Sequence, residues 1–198
     1  MTSTPPARPL VPRSREEQLA LYAQGPDDLE AALAGLSTED LDQARSGQWT
    51  IRQIVEHVVA DDARWTMCMQ VAVARPGYTY GHEWFGGKRT EPWAELWDGR
   101  EHAIAPLLTL LRANRTHILA MLHHLPEAWT RHVQFTRAAE QEAQTLTVGQ
   151  MIGLQATHAQ EHIDEILRCT DRPPGRDAAD RRVFHAFGRQ DYRDDPRF

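Results

Sequence analysis

The residues with the clearest chemical potential are His158 and His162, four positions apart in the segment TVGQMIGLQATHAQEHIDEILR. Side chains four residues apart project from the same face of a helix, so both imidazoles can bind one divalent ion. A third histidine, His57, lies in an earlier apolar segment with a helical period. The pattern therefore predicts a metal site of three histidines, contributed by two helices.

A purely structural role for these histidines is the alternative. The chain has 10 histidines, so some pairs have this spacing by chance, and a histidine among apolar residues is usually a hydrogen-bonded part of the core. The pair, however, continues an apolar line through Met151, Gln155 and Ile166. Two imidazoles buried there without partners would carry a desolvation penalty, which a metal would remove for both. From the residues alone, both interpretations stay open.

The pair also forms the pattern HxxEH, with Glu161 beside the second histidine. In inverted zinc proteases this glutamate activates water, and the third metal ligand is an acid far downstream. Only 36 residues follow His162, which argues against a peptidase of that class. Glu161 is instead expected to be a solvated helix residue or to orient a ligand, and a role as general base stays open.

Four helices are expected to position these residues. The first begins with a capping box at Ser14, and the pair Gly25-Pro26 is expected to kink or break it, because proline removes a backbone donor. Two later starts, at Thr50 and Thr147, share a threonine cap with glutamine three residues on. The other helices are predicted at about Thr50 to Ala74, Glu101 to Leu125, and Thr147 to Cys169. If the second and fourth lie side by side, the three histidines can meet.

The length of 198 residues suits one domain. Residues 1–13 are rich in proline, which predicts a flexible N-terminal arm. Residues 14–170 are predicted to form the helical domain. Residues 171–198 are predicted to form a charged tail that can include one short helix at about Val183 to Phe187. Residues 76–97 form a long connection rich in glycine and aromatic side chains. These aromatics can cover the site or fill the core, and they include Tyr78, Tyr80, His82, Trp84 and Phe85.

The composition excludes several classes of function. A net charge of −6 without a basic patch argues against nucleic-acid binding, and no apolar run is long enough to cross a membrane. Cys68 and Cys169 are too few for a disulfide framework, and an apolar signal core is missing, so a cytoplasmic location is expected.

The segment QWTIRQIVEH, ending in His57, followed about a hundred residues later by His158 and His162, resembles the DinB/YfiT-like metalloenzyme family. The resemblance covers about Ser14 to Cys169. It implies an all-α four-helix bundle of up-down-down-up topology with a long connection between helices two and three. It also implies zinc or nickel bound by the three histidines. Some members of the family transfer thiols such as bacillithiol, mycothiol or glutathione, and others are regarded as hydrolases.

Three neutral histidines leave a coordination position at which a divalent ion can activate water or a thiol. We therefore expect a metal-dependent thiol transferase or hydrolase acting on an electrophilic small molecule. Asp61 can accept the second N–H of His57, and either Asp61 or Glu161 can serve as base. Arg52 and Arg64 are candidates for binding the carboxylates of a thiol cofactor. A helical stress or interaction protein with a structural or vestigial metal is the alternative, and a homodimer stays open.

Overall fold

The structure is a computed structural model that describes residues 14–43, 49–81, 103–136 and 142–170. The predicted N-terminal arm, the C-terminal tail and the part of the aromatic connection that contains His82 lie outside the described residues. The elements are α1 (Arg15–Leu33), α2 (Thr38–Asp42), α3 (Ile51–Ala74), β1 (Tyr78–Tyr80), α4 (Ile104–His124), a 3-10 turn (Pro126–Thr130), β2 (His132–Phe135), β3 (Gln144–Thr147) and α5 (Val148–Cys169).

Local capping fixes where three of the four long helices begin. The side chains of Ser14, Thr50 and Thr147 each accept a hydrogen bond from the backbone N–H three residues on. The side chain at that later position in turn accepts a hydrogen bond from the backbone N–H of the cap residue. These reciprocal bonds satisfy backbone donors that have no partner within the helix. The helix starts predicted from these capping boxes are confirmed.

The long helices form a bundle of up-down-down-up topology, as predicted. One apolar cluster joins the end of α1 and the end of α5 to the starts of α3 and α4, with Leu29, Ile54, Leu111 and Ile166 among its members. The second cluster joins the opposite ends of the same helices. Helices α1 and α5 therefore run one way, and α3 and α4 the other. Helix α3 packs against both α4 and α5, so the expected contact between the two histidine-bearing helices is confirmed.

A layer of buried polar side chains separates the two apolar clusters. At its centre is Arg115 of α4, whose side chain is 2% exposed. Its Nε donates to Asp62 Oδ1 of α3 at 2.8 Å, its Nη1 to the carbonyl of Tyr22 in α1 at 2.9 Å, and its Nη2 to the carbonyl of Gln155 in α5 at 3.2 Å. One guanidinium thus contacts all three of the other long helices.

Of the kink or break expected at Gly25-Pro26, the break is wrong, because α1 continues through Pro26 to Leu33. Proline cannot donate to the carbonyl four residues earlier, which is that of Tyr22. Arg115 donates to that carbonyl instead. Gly25 leaves the necessary room, since a Cβ atom there would lie 2.2 Å from Arg115 Nη1. Gly25 and Pro26 therefore provide the space and the free carbonyl that the Arg115 guanidinium needs within a continuous helix.

A small sheet accompanies the helices, and the sequence patterns did not predict it. Its order is β1-β2-β3, with β1 parallel to β2 and β2 antiparallel to β3. Tyr80, Val133 and Phe135 are buried in the second apolar cluster, which lies at the end of the bundle where α3 and α4 end and α5 begins. Tyr80, expected either to cover the site or to fill the core, is thus a core residue. None of the described helices combines the length and the apolar character that a membrane span requires.

Candidate metal centre

His57 of α3 meets His158 and His162 of α5 inside the bundle. The Nε2 atoms of His57 and His158 lie 3.0 Å apart, and one ring nitrogen from each of the three histidines falls within 4.8 Å of the others. The ring centroids are separated by 4.7 to 5.0 Å. The structure therefore brings together the three residues that the spacing and the resemblance named as ligands.

Carboxylates face the Nδ1 atoms of both α5 histidines. His162 Nδ1 is 3.0 Å from Glu165 Oε2, and His158 Nδ1 is 3.6 Å from Asp61 Oδ2. A neutral imidazole beside a carboxylate carries its proton on the nitrogen that faces the acid, which leaves the lone pair on the other nitrogen. In both rings that nitrogen is Nε2, the atom suited to bind a metal.

Burial keeps two of the rings neutral. Desolvation, supported by the neighbouring His162, lowers the pKa of His57 to about 4. Desolvation also lowers the pKa of His158 to about 3, against the opposing effect of Asp61. Both side chains are therefore unprotonated near neutral pH, and a neutral imidazole is the form that binds divalent metals.

The immediate surroundings of His57 fit a bound cation. Two ring nitrogens 3.0 Å apart need a proton or a cation between them. Tetrahedral zinc with Zn–N bonds of about 2.1 Å would place such nitrogens roughly 3.4 Å apart, a few tenths of an ångström more than the observed distance. The three histidines therefore fit a divalent ion.

Asp61 lies beside His158 rather than beside His57, its expected partner. Arg64 Nη2 is 2.8 Å from Asp61 Oδ1, and Gln155 Nε2 donates to Asp61 Oδ2 at 3.0 Å. Burial opposes ionisation of this carboxyl, but His158 and Arg64 outweigh burial and hold the pKa of Asp61 below its ordinary value. Asp61 is thus an ionised, well-held carboxylate at the edge of the histidine cluster.

Both arginines proposed to bind a thiol cofactor already have carboxylate partners. Arg52 Nε donates to Asp42 Oδ1 at 2.7 Å, and its Nη2 donates to Asp42 Oδ2 at 3.2 Å. Arg64 pairs with Asp61, as described above. An incoming carboxylate would have to compete with these ion pairs.

Two residues near the histidines were missed by sequence reasoning. Glu161, the expected orienting acid, is partly exposed, whereas the carboxylate that contacts His162 belongs to Glu165. The hydrogen bond to His162 lowers the pKa of Glu165. The signal in the sequence for the contact between His162 and Glu165 was their spacing of three residues on one helix. Gln155 is the second missed residue, because it lies in the apolar line of α5 and nothing in the local sequence indicates its contact with Asp61.

The chain resembles known proteins over most of its length. Residues 21–166 match the family model described as the DinB superfamily. A protein from Geobacillus thermodenitrificans named "Putative metal-dependent hydrolase" is 28% identical over 158 residues, which cover 79% of this chain and 84% of that protein. The solved structure of YfiT from Bacillus subtilis, described as "a probable metal-dependent hydrolase with an unusual four-helix bundle topology", has a TM-score of 0.67 and 21% identity. The match covers 84% of this chain and 95% of YfiT, and it supports the fold.

Proposed function

Because the chain belongs to the DinB superfamily, we propose that it is a metal-dependent hydrolase whose divalent ion is held by His57, His158 and His162. The observation that carries this proposal is the convergence of three ring nitrogens within 4.8 Å inside the bundle. The name of the Geobacillus relative supports the same reaction class. Zinc and nickel are the proposed metals, since both accept imidazole ligands.

His57, His158 and His162 would hold the divalent ion, and such an ion would supply the Lewis acidity that makes water nucleophilic near neutral pH. The protein itself keeps the donor nitrogens unprotonated, because desolvation of the partly buried rings lowers the pKa of His57 and of His158. Glu165 fixes the proton position of the His162 imidazole through a contact of 3.0 Å, and the Asp61 carboxylate, 3.6 Å from His158 Nδ1, favours the same proton position in His158 by its charge.

The general base is proposed to be Glu161 rather than Asp61. Both Asp61 oxygens are occupied, by Arg64 and by Gln155, and the pKa of Asp61 is lowered, so this carboxylate is a poor proton acceptor. Glu161 is adjacent to His162 and partly exposed. A proton acceptor needs access to substrate and to solvent, and this position favours Glu161.

Transfer of a low-molecular-weight thiol stays a prediction from the family resemblance. The two cations expected to bind the carboxylates of such a thiol, Arg52 and Arg64, are each paired with an aspartate of the protein. This pairing favours water over a charged thiol as the nucleophile.

Metal analysis of the purified protein tests the site directly. We expect about one zinc or nickel ion per chain in the wild type and loss of that ion in His57→Ala and His162→Ala. His117→Ala is the matched control, because His117 is an exposed histidine on α4. Stoichiometric metal in His57→Ala or His162→Ala would refute the ligand assignment.

A screen of ester, amide and phosphoester substrates tests the reaction. Hydrolysis should stop in the presence of a chelator and return when zinc or nickel is added back. Glu161→Gln should lower kcat while stoichiometric metal is retained, because the base is removed and the ligands remain. Hydrolysis that persists in the chelated protein would contradict the proposal, as would turnover of a thiol adduct without hydrolysis of any substrate.

A further inference from the structure

We propose that Gln155 is a positioning residue for the metal centre, acting on His158 through Asp61. The inference rests on the proposed function, because it concerns the geometry of one of the proposed ligands. Gln155 precedes His158 by three residues on α5 and is 2% exposed. Its side chain is therefore buried on the face of the helix that carries the histidine.

The direction of the Gln155 amide is dictated by Asp61. Its Nε2 donates to Asp61 Oδ2 at 3.0 Å, whereas its Oε1 is buried without a hydrogen-bond partner among the described residues. A flipped amide would place two oxygens against each other, so only the donating orientation is favourable. A buried amide oxygen left without a partner has a free-energy cost. The bond to Asp61 must compensate for that cost.

The bond matters because the same Asp61 oxygen faces the ligand. Asp61 Oδ2 lies 3.6 Å from His158 Nδ1, while Arg64 holds the other oxygen at 2.8 Å. Gln155 and Arg64 thus fix both oxygens of the carboxylate, each on its own side. Without Gln155, the carboxylate can rotate about its contact with Arg64. His158 would then lose the partner that orients its ring toward His57.

The backbone of Gln155 is fixed as well. Arg115 Nη2 donates to the Gln155 carbonyl at 3.2 Å, and this arginine is anchored by Asp62, the neighbour of Asp61 in α3. The contacts therefore run from the buried polar layer through Gln155 and Asp61 to His158. Outer residues of this kind set ring orientation and metal affinity in histidine sites.

The chain offers a matched control in Gln160. This second glutamine of α5 is also 2% exposed, and its Nε2 donates to the carboxylate of Asp28 at 2.8 Å. Gln155→Met and Gln160→Met each remove one buried bond between an amide and a carboxylate. A merely structural role predicts similar losses of stability and no selective effect on metal binding.

The experiment measures Zn²⁺ affinity by competition with a chromogenic chelator, together with the visible spectrum of the Co²⁺-substituted protein. We expect Gln155→Met to weaken Zn²⁺ binding about tenfold and to shift the Co²⁺ bands. Gln160→Met should match the wild type in both measurements. In an Asp61→Asn background, Gln155→Met should weaken binding less than about twofold further, because the two residues act in series.

The outcomes separate the two proposals. A wild-type protein that binds neither Zn²⁺ nor Co²⁺ overturns the proposed function, and this inference falls with it. If the wild type binds Zn²⁺ tightly and Gln155→Met leaves the affinity and the Co²⁺ spectrum unchanged, only the positioning role is overturned. An equal loss of Zn²⁺ affinity in Gln160→Met would overturn it too. So would a loss of Zn²⁺ affinity from Gln155→Met that is undiminished in the Asp61→Asn background. If Gln155→Met does not fold, Gln155→Leu removes the same amide and is judged by the same criteria.

Discussion

Replacement of Gly25 by alanine tests the interpretation of the buried polar layer. In most helices this change is stabilising by about 1 kcal/mol, because alanine has a lower backbone entropy cost than glycine. Here the new Cβ would lie 2.2 Å from Arg115 Nη1. The guanidinium must retreat by at least about 1.2 Å to restore a normal van der Waals separation.

The expected magnitude follows from the bonds that this movement breaks. Arg115 Nη1 would lose the Tyr22 carbonyl, now at 2.9 Å, and a buried carbonyl without a partner costs about 1–3 kcal/mol. Displacement from Asp62 weakens a buried ion pair whose complete disruption costs roughly 3–5 kcal/mol. After subtraction of the gain in helix propensity, Gly25→Ala should lower the free energy of unfolding by about 2–4 kcal/mol.

Urea-induced unfolding of the metal-free protein, followed by circular dichroism, measures this change. The matched control is Gly153→Ala in α5, where the new Cβ would meet the end of the flexible Gln18 side chain at 3.0 Å. That variant should stay within about 1 kcal/mol of the wild type, since the glutamine can move.

A double-mutant cycle separates the clash from the effect of the neighbouring proline. Pro26 disfavours a helical conformation for any preceding residue with a Cβ, whatever lies at position 115. If the clash is responsible, Gly25→Ala should cost much less in an Arg115→Met background. An undiminished cost in that background would refute the reasoning, as would a Gly25→Ala protein at least as stable as the wild type.

Three further predictions concern the site and the thiols. Glu165→Gln should weaken Zn²⁺ binding about tenfold in chelator competition, because His162 loses its carboxylate partner; unchanged affinity would contradict this role. Cys68 is fully buried, and desolvation raises its pKa to about 11. Thiol reagents should therefore modify Cys169 first in the native protein, which peptide mass spectrometry can measure. Modification of Cys68 before Cys169 would be inconsistent with this burial. In the metal-free protein, the free energy of unfolding should fall as the pH is lowered from 6.5 toward 4, because the unfolded chain protonates His57 and the folded protein does not. Urea titrations at several pH values should show a weaker pH dependence of the free energy of unfolding in His57→Ala than in the wild type. An equal pH dependence in the two proteins would exclude His57 as the cause.

Local interactions explain what the sequence predicted well. The capping boxes at Ser14, Thr50 and Thr147 involve residues three positions apart, and helical periodicity extends over each long helix. The spacing of His158 and His162 likewise depends on one helix alone. For His57, the helical period indicated a position along α3 from which it could meet the pair only if α3 and α5 lie side by side, and the resemblance to the family implied the same three ligands.

The failures arose where several helices meet. Proline was judged by its effect on its own helix, but the carbonyl that Pro26 leaves free is satisfied by Arg115, 93 positions from Tyr22. The pairing of Asp61 with His158 likewise depends on the rotation of α3 against α5. The strands escaped detection because they are three or four residues long, too short to show a clear alternation.

The contacts of Arg115 also determine how far the helices can slide along one another. An interior made only of leucine, isoleucine and valine tolerates a shift of one helical turn, about 5.4 Å, with similar packing before and after. Such a shift of α4 here would remove the guanidinium from Asp62, Tyr22 and Gln155 together and move a charge into an apolar cluster. The axial alignment of the bundle is thus fixed at one level, which lies close to the histidines that α3 and α5 present to each other.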